Sequence, residues 1–240
     1  MRTYQLEQAG LTDTGNVRAV NEDYLLAEGD LFLVADGMGG HGHGEVASRL
    51  AAEHIQAAFA TDPTEAGLVT AVKKANTAVY EHPETDSPDA HMGTTVAAVA
   101  LVVDGDDEYL SVVNVGDSRV YLLRDDQLTR LSMDHSRVAE LVRAGALSDD
   151  EAAVHPERHI LTMAVGVGPE VDPFATRTKP QIGDRVLLCS DGLFNELTGS
   201  EIASVLSTVT DAEQATAELV AIAKDHGGND NITAMVVDIS

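Results

Sequence analysis

The chain has 240 residues, 44% of them hydrophobic, so it can bury a sizeable core in one or two domains. With 40 acidic and 15 basic residues its formal net charge is −25, which argues against non-specific binding to nucleic acid or to an anionic membrane. One cysteine excludes an internal disulfide framework. No run reaches the roughly 18 apolar residues of a membrane span, and the N-terminus lacks a signal-peptide core, so we expect no membrane segment and a cytoplasmic location.

The N-terminal part predicts strands followed by two helices. Its apolar residues first follow one another as in strands and are then spaced like one face of a helix. This predicts strands at 4–11, 24–28 and 31–35 and helices at 45–60 and 62–80. Asp62 and Pro63 begin the second helix, because they combine an N-cap residue with proline at the first helical position. Residues 82–91, with two prolines, are predicted to form a loop.

The rest of the chain predicts hairpins, short helices and a last strand. The predicted strands are 92–103, 109–115, 120–123, 128–131, 185–189 and 232–239, and the short helices are 136–145 and 148–154. Ser148, Thr198 and Asp211 each precede a Glu or Gln by three residues, which predicts a capped start for the helix at 148–154 and two more capped helices. The last of these is predicted to stop at Gly227-Gly228. Runs of hairpins with paired helices favour an antiparallel sheet with helices outside over alternating βαβ units. Without repeats or linkers, we expect one domain over 1–240.

One acidic residue follows a strand that the sequence predicts to be buried on both faces. Residues 31–35 are continuously apolar, and Asp36 comes directly after them. A buried carboxylate is costly to desolvate unless a cation or hydrogen bonds compensate its charge. Five glycines from Gly37 to Gly44 allow the backbone to turn tightly and to approach another group closely. We therefore interpret 31–48 as the edge of a functional site.

The same pattern recurs at other predicted strands. Asp191 and Asp117 follow apolar strands, Asp230 precedes the last strand, and Glu22-Asp23 precede the second one. One such residue is most often a cap or a turn residue, but together they would repel each other without a cation among them. Oxygen ligands suit Mg²⁺ or Mn²⁺ rather than zinc. Carboxylates shared between two ions about 3.5–4 Å apart are a route to phosphate-ester hydrolysis.

Seven short motifs occur in one order along the chain: Arg18-x-x-Asn21-Glu22-Asp23, Asp36-Gly37-Met38-Gly39-Gly40-His41, Met92-Gly93-Thr94-Thr95, Val115-Gly116-Asp117-Ser118-Arg119, Asp134-His135-Ser136, Ser190-Asp191-Gly192-Leu193 and Asp230-Asn231-Ile232-Thr233. In this order they resemble the metal-dependent Ser/Thr protein phosphatases of type 2C, the PPM family, and most of all its compact bacterial branch. Each motif alone is modest, whereas all seven in order are highly specific. The resemblance covers 12–238.

The resemblance implies an α+β fold. Its centre is a sandwich of two antiparallel β-sheets flanked by pairs of α-helices on both faces, which gives four layers in the order αββα. A small helical flap is implied at about 136–165, within a single catalytic domain of 1–240. We expect a monomer in bacterial signalling. Its partners would be phosphorylated proteins, namely Ser/Thr kinases or their substrates, and not nucleic acid.

The resemblance also implies two core Mn²⁺ or Mg²⁺ ions and a weaker third ion. Asp36 would bridge the core ions, and Gly37 would contribute its carbonyl. The other implied positions are Asp191 and Asp230 for one core ion, Glu22 for the other, Asp23 for the metal-bound waters, and Asp117 with Asp191 for the third ion. The implied activity is hydrolysis of phosphoserine and phosphothreonine in proteins by direct attack of a metal-bridging water or hydroxide, which counteracts Ser/Thr kinases.

Two positions are implied to act on the substrate. Arg18 would bind its phosphate, because a guanidinium fork matches two phosphate oxygens. His41 matches a histidine of the bacterial pattern, and it would either protonate the leaving oxygen or only brace the glycine loop. Met38 stands where animal members have a histidine. His43 is interpreted as a solvated loop residue.

Met163 departs from the bacterial pattern, which usually carries arginine at this position of the segment 159–166. The flap would thereby lose one contact to the substrate or to the core. We expect this loss to alter substrate preference without abolishing catalysis.

Other classes fit the sequence less well. Cysteine-dependent phosphatases need an arginine six residues after the cysteine, but Asn195 occupies that position relative to Cys189, which we interpret as a buried strand residue. The glycine-rich loop has neither a Gly-Lys-Ser/Thr ending nor dinucleotide spacing. Two alternatives stay open. One is a phosphohydrolase for small phosphate esters, and the other is a partner-binding pseudophosphatase, which the intact acidic set disfavours.

Overall fold

The structure, a computed structural model, describes residues 3–39, 43–82 and 92–240. Its strands are β1 (Leu6–Asp13), β2 (Asp23–Glu28), β3 (Leu31–Gly39), β4 (Met92–Thr94), β5 (Val96–Asp104), β6 (Asp107–Val115), β7 (Arg119–Arg124), β8 (Gln127–Arg130), β9 (Phe174–Thr178), β10 (Arg185–Cys189) and β11 (Ile232–Ile239). One antiparallel sheet has the order β1-β11-β10-β7-β8. The other has the order β2-β3-β5-β6-β9, with β4 paired to β3.

The helices cover the outer faces of both sheets. They are α1 (His43–Phe59), α2 (Glu65–Tyr80), α3 (Arg137–Arg143), α4 (Asp149–Ala153), α5 (Asp191–Phe194), α6 (Gly199–Thr208) and α7 (Ala212–His226). Helices α1 and α2 share one apolar cluster with the β3 sheet, and α6 and α7 share another with the β11 sheet. This confirms the predicted α+β sandwich. The short helices α3 and α4 form the flap, and no helix in the described ranges is long and apolar enough to cross a membrane.

Strand β3 shows why the buried strands of this sandwich are continuous apolar runs in the sequence. Successive side chains of a strand point to opposite faces of its sheet. Leu33 and Ala35 pack with the helices, whereas Phe32 and Val34 pack against the other sheet, in one cluster with Leu188. Both faces of β3 are therefore buried, and burial of these side chains holds the layers together.

Strand β3 is longer than the sequence predicts. It continues to Gly39 because Gly37 pairs with Thr94 of β4. Asp36 consequently lies inside a strand and not after its end. Its backbone is held on both sides, which restricts the positions that its carboxylate can take.

Helix α2 begins two residues later than predicted. Its N-cap is Thr64, whose hydroxyl accepts a hydrogen bond from the Gly67 amide at 3.0 Å. Asp62, the predicted cap, instead accepts a hydrogen bond of 2.9 Å from the Thr64 hydroxyl. Strand β9 was not predicted, and the predicted loop at 82–91 lies, apart from His82, outside the described residues.

The predicted caps of the other helices are confirmed. Helix α4 begins with a capping box of Ser148 and Glu151, and α6 begins with one of Thr198 and Glu201. Helix α7 stops at Gly227, as the glycine pair in the sequence indicated.

The flap leaves the sandwich and rejoins it at one place. The backbone amide of Arg137 donates to the Ile160 carbonyl at 2.8 Å, and that of Thr162 donates to the His135 carbonyl at 2.9 Å. The intervening residues therefore form a loop whose two ends are hydrogen-bonded to each other.

Candidate active site

A cavity of about 1110 Å³ opens between the strand ends and the flap. The predicted site residues that line it are Arg18, Glu22, Asp36, Gly37, Asp117, Asp191 and Asp230. Asp23 is buried and lies directly opposite Asp36 in the pairing of β2 with β3. His41 lies outside the described residues. The structure thus brings together the acidic residues that the sequence distributes over several strands.

The backbone of Asp36 is fixed by the turn between β4 and β5. The Asp36 amide donates to the Thr95 hydroxyl at 3.0 Å, and the Asp36 carbonyl accepts the Thr95 amide and the Thr94 hydroxyl, each at 2.9 Å. The Thr95 hydroxyl also contacts the Ser118 hydroxyl at 2.6 Å, next to Asp117. This network positions two of the predicted metal ligands relative to each other, and sequence analysis assigned no role to its threonines.

Two glycines bring Glu22 close to β3. A Cβ on Gly37 would lie 2.1 Å from the Gly44 carbonyl oxygen, and a Cβ on Gly44 would lie 2.6 Å from Oε1 of Glu22. The Gly44 amide donates to that same Oε1 at 3.2 Å. Only glycine permits this approach of α1 to the strand, so the glycine-rich segment places a carboxylate beside Asp36.

Asn231 is a positioning residue that sequence analysis did not single out. Its Oδ1 accepts the Glu22 amide at 2.8 Å, and its Nδ2 donates to the carbonyls of Thr14 and Val20 at 3.0 Å. The loop that carries Glu22 is therefore attached to the residue after Asp230. A contact across about 210 positions leaves no local signal in the sequence.

Asp23 combines satisfied and unsatisfied oxygens. Its Oδ2 accepts hydrogen bonds from the hydroxyls of Ser190 at 2.7 Å and Thr233 at 2.6 Å, whereas its Oδ1 is buried and has no hydrogen-bond partner among the described residues. Burial, together with the charges of Asp191 and Asp230, raises the pKa of Asp23 to about 7 despite these hydroxyls.

The cleft carboxylates raise one another's pKa because they are enclosed and close together. Burial, followed by the charges of Asp23 and Asp191, raises the pKa of Asp36 well above its ordinary value. Burial and Asp191 raise the pKa of Asp117 to about 7. Burial and Asp230 raise that of Asp191. Such a group of carboxylates is stabilised in its ionised form only by added positive charge.

The donor set fits hard divalent cations. Its side chains offer oxygen only, and the orphaned Oδ1 of Asp23 is a buried acceptor that a water or a cation would satisfy. Within the part of the chain that the structure describes, no three His, Cys, Asp or Glu side chains are arranged closely enough to hold a metal ion by themselves. Mg²⁺ usually keeps several waters in its coordination shell and is bound by only one or two carboxylates.

Arg119 connects the turn of Asp117 with the helix of Asp191. Its guanidinium donates to Asp134 at 2.7 Å and lies 3.7 Å from the centroid of the Phe194 ring, in the helix that Asp191 begins. The sequence places Arg119 in a motif without indicating its role. The cation–π contact with Phe194 indicates a structural role for Arg119.

The flap side of the cleft is held by Asn76, which is 1% exposed. Its Oδ1 accepts the Gly166 amide at 2.8 Å, and its Nδ2 donates to the Gly168 carbonyl at 2.9 Å. Val165 and Thr94 exchange two backbone hydrogen bonds of 2.9 Å. The chain that leaves the flap is thereby fixed to α2 on one side and to β4 on the other.

The structure also shows the surroundings of Met163, Cys189 and His43. Met163 lines the cleft and packs partly buried against the α1–α2 cluster. Cys189 is buried, and burial raises its thiol pKa to about 12, which confirms a structural strand residue. The interpretation of His43 as a solvated loop residue is wrong. It is the first residue of α1, half-buried, with Nδ1 buried and unpartnered among the described atoms.

A cleft with a cluster of carboxylates at one edge of a helix-flanked β-sandwich is the arrangement expected of a metal-dependent phosphohydrolase. Residues 16–235 match the profile described as Protein phosphatase 2C. The chain belongs to this family of metal-dependent Ser/Thr protein phosphatases, as its seven motifs indicated.

Relatives agree in sequence and in structure. "Serine/threonine protein phosphatase PstP" of Mycobacterium tuberculosis is 39% identical over 243 residues, which include 99% of this chain but 46% of PstP. The chain therefore spans about half the length of that relative. The PPM Ser-Thr phosphatase MsPP of Mycobacterium smegmatis, solved with cacodylate, superposes with a TM-score of 0.89 at 41% identity, covering 97% of both chains. The PstP catalytic domain, solved with two manganese ions, gives 0.88 at 36% identity, covering 99% of both chains.

Proposed function

We propose that this chain hydrolyses phosphoserine and phosphothreonine in proteins with Mn²⁺ or Mg²⁺ and so counteracts Ser/Thr kinases. The observation that carries the proposal is one cleft that is lined by Arg18 and by carboxylates from distant parts of the chain. One catalytic domain over 1–240 with its flap at 136–165, acting as a cytoplasmic monomer, belongs to the same proposal. PstP is about twice as long as this chain. The substrates and partners of the whole protein are therefore also part of the proposal.

The proposed metal positions are those that the family resemblance implies, and they are supported by the common cleft that most of these residues line. Asp36, central among the carboxylates, would bridge two ions with Gly37 contributing its carbonyl. The remaining assignments are Asp191 and Asp230 on one ion, Glu22 on the other, Asp23 on their waters, and Asp117 with Asp191 on a weaker third ion. When bound, such ions lower the pKa of water and offset negative charge on the phosphoryl group.

Arg18 would hold the substrate phosphate. Its side chain is half exposed and lines the cleft, and its Nη2 donates to Asp230 at 2.7 Å. The planar guanidinium keeps further N–H groups that can pair with two phosphate oxygens. Arg18 would therefore orient the phosphoryl group above the carboxylates. His41 stays a prediction, either as the acid that protonates the leaving oxygen or as a brace of the glycine loop.

The proposal is tested with the purified chain, Mn²⁺ and three substrates: p-nitrophenyl phosphate, a phosphothreonine peptide and a sugar phosphate. We expect hydrolysis of the first two and a much higher kcat/KM for the peptide than for the sugar phosphate. Preference for the sugar phosphate would indicate a small-ester phosphohydrolase. Absence of any hydrolysis by a folded, Mn²⁺-loaded chain would indicate a pseudophosphatase.

A further inference from the structure

Two of the large apolar side chains that are exposed on the described part of the chain line the cleft. The exposed ones in the described ranges are Leu11, Val17, Val20, Tyr80, Val103, Val154, Ile160, Val167 and Ile182. Val154 and Val167, which are 78% and 63% exposed, line the cleft itself. Ile160 lies in the same flap, and Val17 and Val20 flank Arg18 in the chain. Grouped exposed apolar residues mark binding surfaces more often than scattered ones do.

Six apolar residues from the flap segment, the chain that follows it and β3 line the cleft, and we call this set the apolar wall. Its members, all lining the cavity, are Met38, Val154, Leu161, Met163, Ala164 and Val167. Gly93 joins two of them, because the position that its Cβ would occupy lies 2.9 Å from Cγ2 of Val167 and 3.5 Å from Cγ of Met38. The glycine leaves room for both side chains to pack over one spot beside Thr94.

Val167 is held in its exposed position by ordered structure. The residues on both sides of it, Gly166 and Gly168, are hydrogen-bonded to the buried Asn76. Val165 pairs with Thr94, whose hydroxyl contacts the Asp36 backbone. The apolar side chain is thus presented at a defined place relative to the acidic floor, and its exposure does not arise from a loose loop.

The cleft has room for more than one residue of a substrate. A sphere of about 1110 Å³ is about 13 Å across, and an extended chain covers this width in about four residues, at 3.3–3.6 Å each. A phosphoresidue above Asp36 would therefore place its neighbours against the wall. Arg158 and His159 line the same cleft, so the cleft offers polar groups as well as the apolar wall.

We propose that Val154 and Val167 select phosphoproteins that carry a large apolar side chain within about three residues of the phosphorylated Ser or Thr. The apolar wall gains contact with such a side chain, and a polar side chain there would lose water without a hydrogen-bond partner. This inference rests on the proposed phosphatase function and specifies the substrate class of the same site.

The test compares two phosphothreonine peptides of equal length and charge. One has Leu and the other has Asn two residues before and two residues after the phosphothreonine. For the natural chain with Mn²⁺ we expect kcat/KM to be about tenfold higher for the Leu peptide, mainly through KM. In the double variant Val154→Thr/Val167→Thr, which keeps the side-chain shape, the ratio should fall below about threefold. Because both peptides are measured with the same protein, the ratio of their kcat/KM values does not depend on the fraction of that protein that is active.

Val103→Thr is the matched control, because Val103 is 58% exposed at the far end of β5 and does not line the cleft. Its peptide ratio should equal that of the natural chain. The inference is overturned if the natural chain discriminates less than twofold, if it prefers the Asn peptide, or if Val103→Thr lowers the ratio as much as the double variant. Failure to hydrolyse even p-nitrophenyl phosphate would instead overturn the proposed function, and this inference with it.

Discussion

Enclosed carboxylates are stabilised in two different ways in this molecule. Asp184 is buried against Arg124, which donates from Nε at 2.7 Å and from Nη2 at 2.5 Å. In the cleft, Asp36 is buried with four other aspartates that raise its pKa, and Arg18 forms its hydrogen bond there with Asp230. The chain itself completes the first arrangement, which serves stability. The second needs positive charge from outside, and this requirement is what makes the cleft a functional site.

The largest effect is expected from Asp36→Asn. The substitution removes the central carboxylate, so kcat/KM with Mn²⁺ should fall at least about 10³-fold, which corresponds to about 4 kcal/mol. Because it also removes charge repulsion, the melting temperature in EDTA should not fall. Phosphopeptide kinetics and thermal unfolding measure the two effects. Retention of a tenth of the activity would contradict the central role of Asp36.

Asp184→Asn makes the same chemical change at the matched carboxylate. It leaves Arg124 without its counter-charge, which should destabilise the fold by about 3 kcal/mol, or about 6–12 °C in melting temperature for a chain of this size. The kcat of the folded enzyme should remain at the natural value. If Asp184→Asn abolished activity at a temperature where it is folded, the two kinds of carboxylate would not be separable.

Metal and pH should act together on stability. The pKa of Asp23 and of Asp117 is raised to about 7 in the fold, above the ordinary value near 4 of an unfolded chain. Their stabilising contribution is complete below about pH 4 and is lost as the pH rises through about 7. Between pH 5 and 8 the melting temperature in EDTA should therefore fall.

Mn²⁺ should reverse this loss, because cations compete with protons for the same oxygens. At one hundred times its Kd it should add about 2.7 kcal/mol, measured as a rise in melting temperature at pH 8. Asp36→Asn is the control and should show a smaller rise. A melting temperature in EDTA that is independent of pH would contradict the electrostatic account of the cleft.

Arg18→Lys tests the exposed ion pair. Lysine keeps the charge but loses the fork, so KM for phosphopeptides should rise about tenfold while kcat changes less. Exposed pairs contribute about 0–1 kcal/mol, so the melting temperature should stay within about 3 °C of the natural value. A loss of stability as large as that of Asp184→Asn would show that Arg18 is structural.

The smallest effect is expected from Met163→Arg, which adds a fixed cation to the cleft wall. We expect a change of about threefold in the order of preference among several phosphopeptides, with p-nitrophenyl phosphate as reference. Unchanged kinetics on all peptides would show that position 163 has no part in substrate choice.

The sequence predicted the elements and the acidic set because both leave local signals. Asp191 could be recognised because it follows an apolar strand, and the capping box of Ser148 is a pattern of four residues. Strand β9 left a weaker signal, since only Phe174 and Ala175 of its five residues are apolar and it is an edge strand that joins the sheet by pairing with β6.

The supports of the site depend on contacts between distant parts of the chain. Asn231 positions Glu22, Asn76 holds Gly166, and the Thr94 hydroxyl fixes Asp36, but each partner is far away in sequence. The extension of β3 beyond position 35 has the same origin, because it needs β4. Sequence patterns indicate which residues carry the chemistry of the site, whereas only the folded structure shows which hydrogen bonds position those residues.

The closed ends of the flap have an evolutionary consequence. Because Arg137 and Ile160 are hydrogen-bonded to each other, the residues between them can be lengthened, shortened or exchanged without moving the strand ends. Doubling the length of such a loop costs only about 0.6 kcal/mol. Because residues of the flap line the cleft while its ends stay joined, changes in the flap can alter the wall of the cleft and leave the acidic residues outside the flap in place.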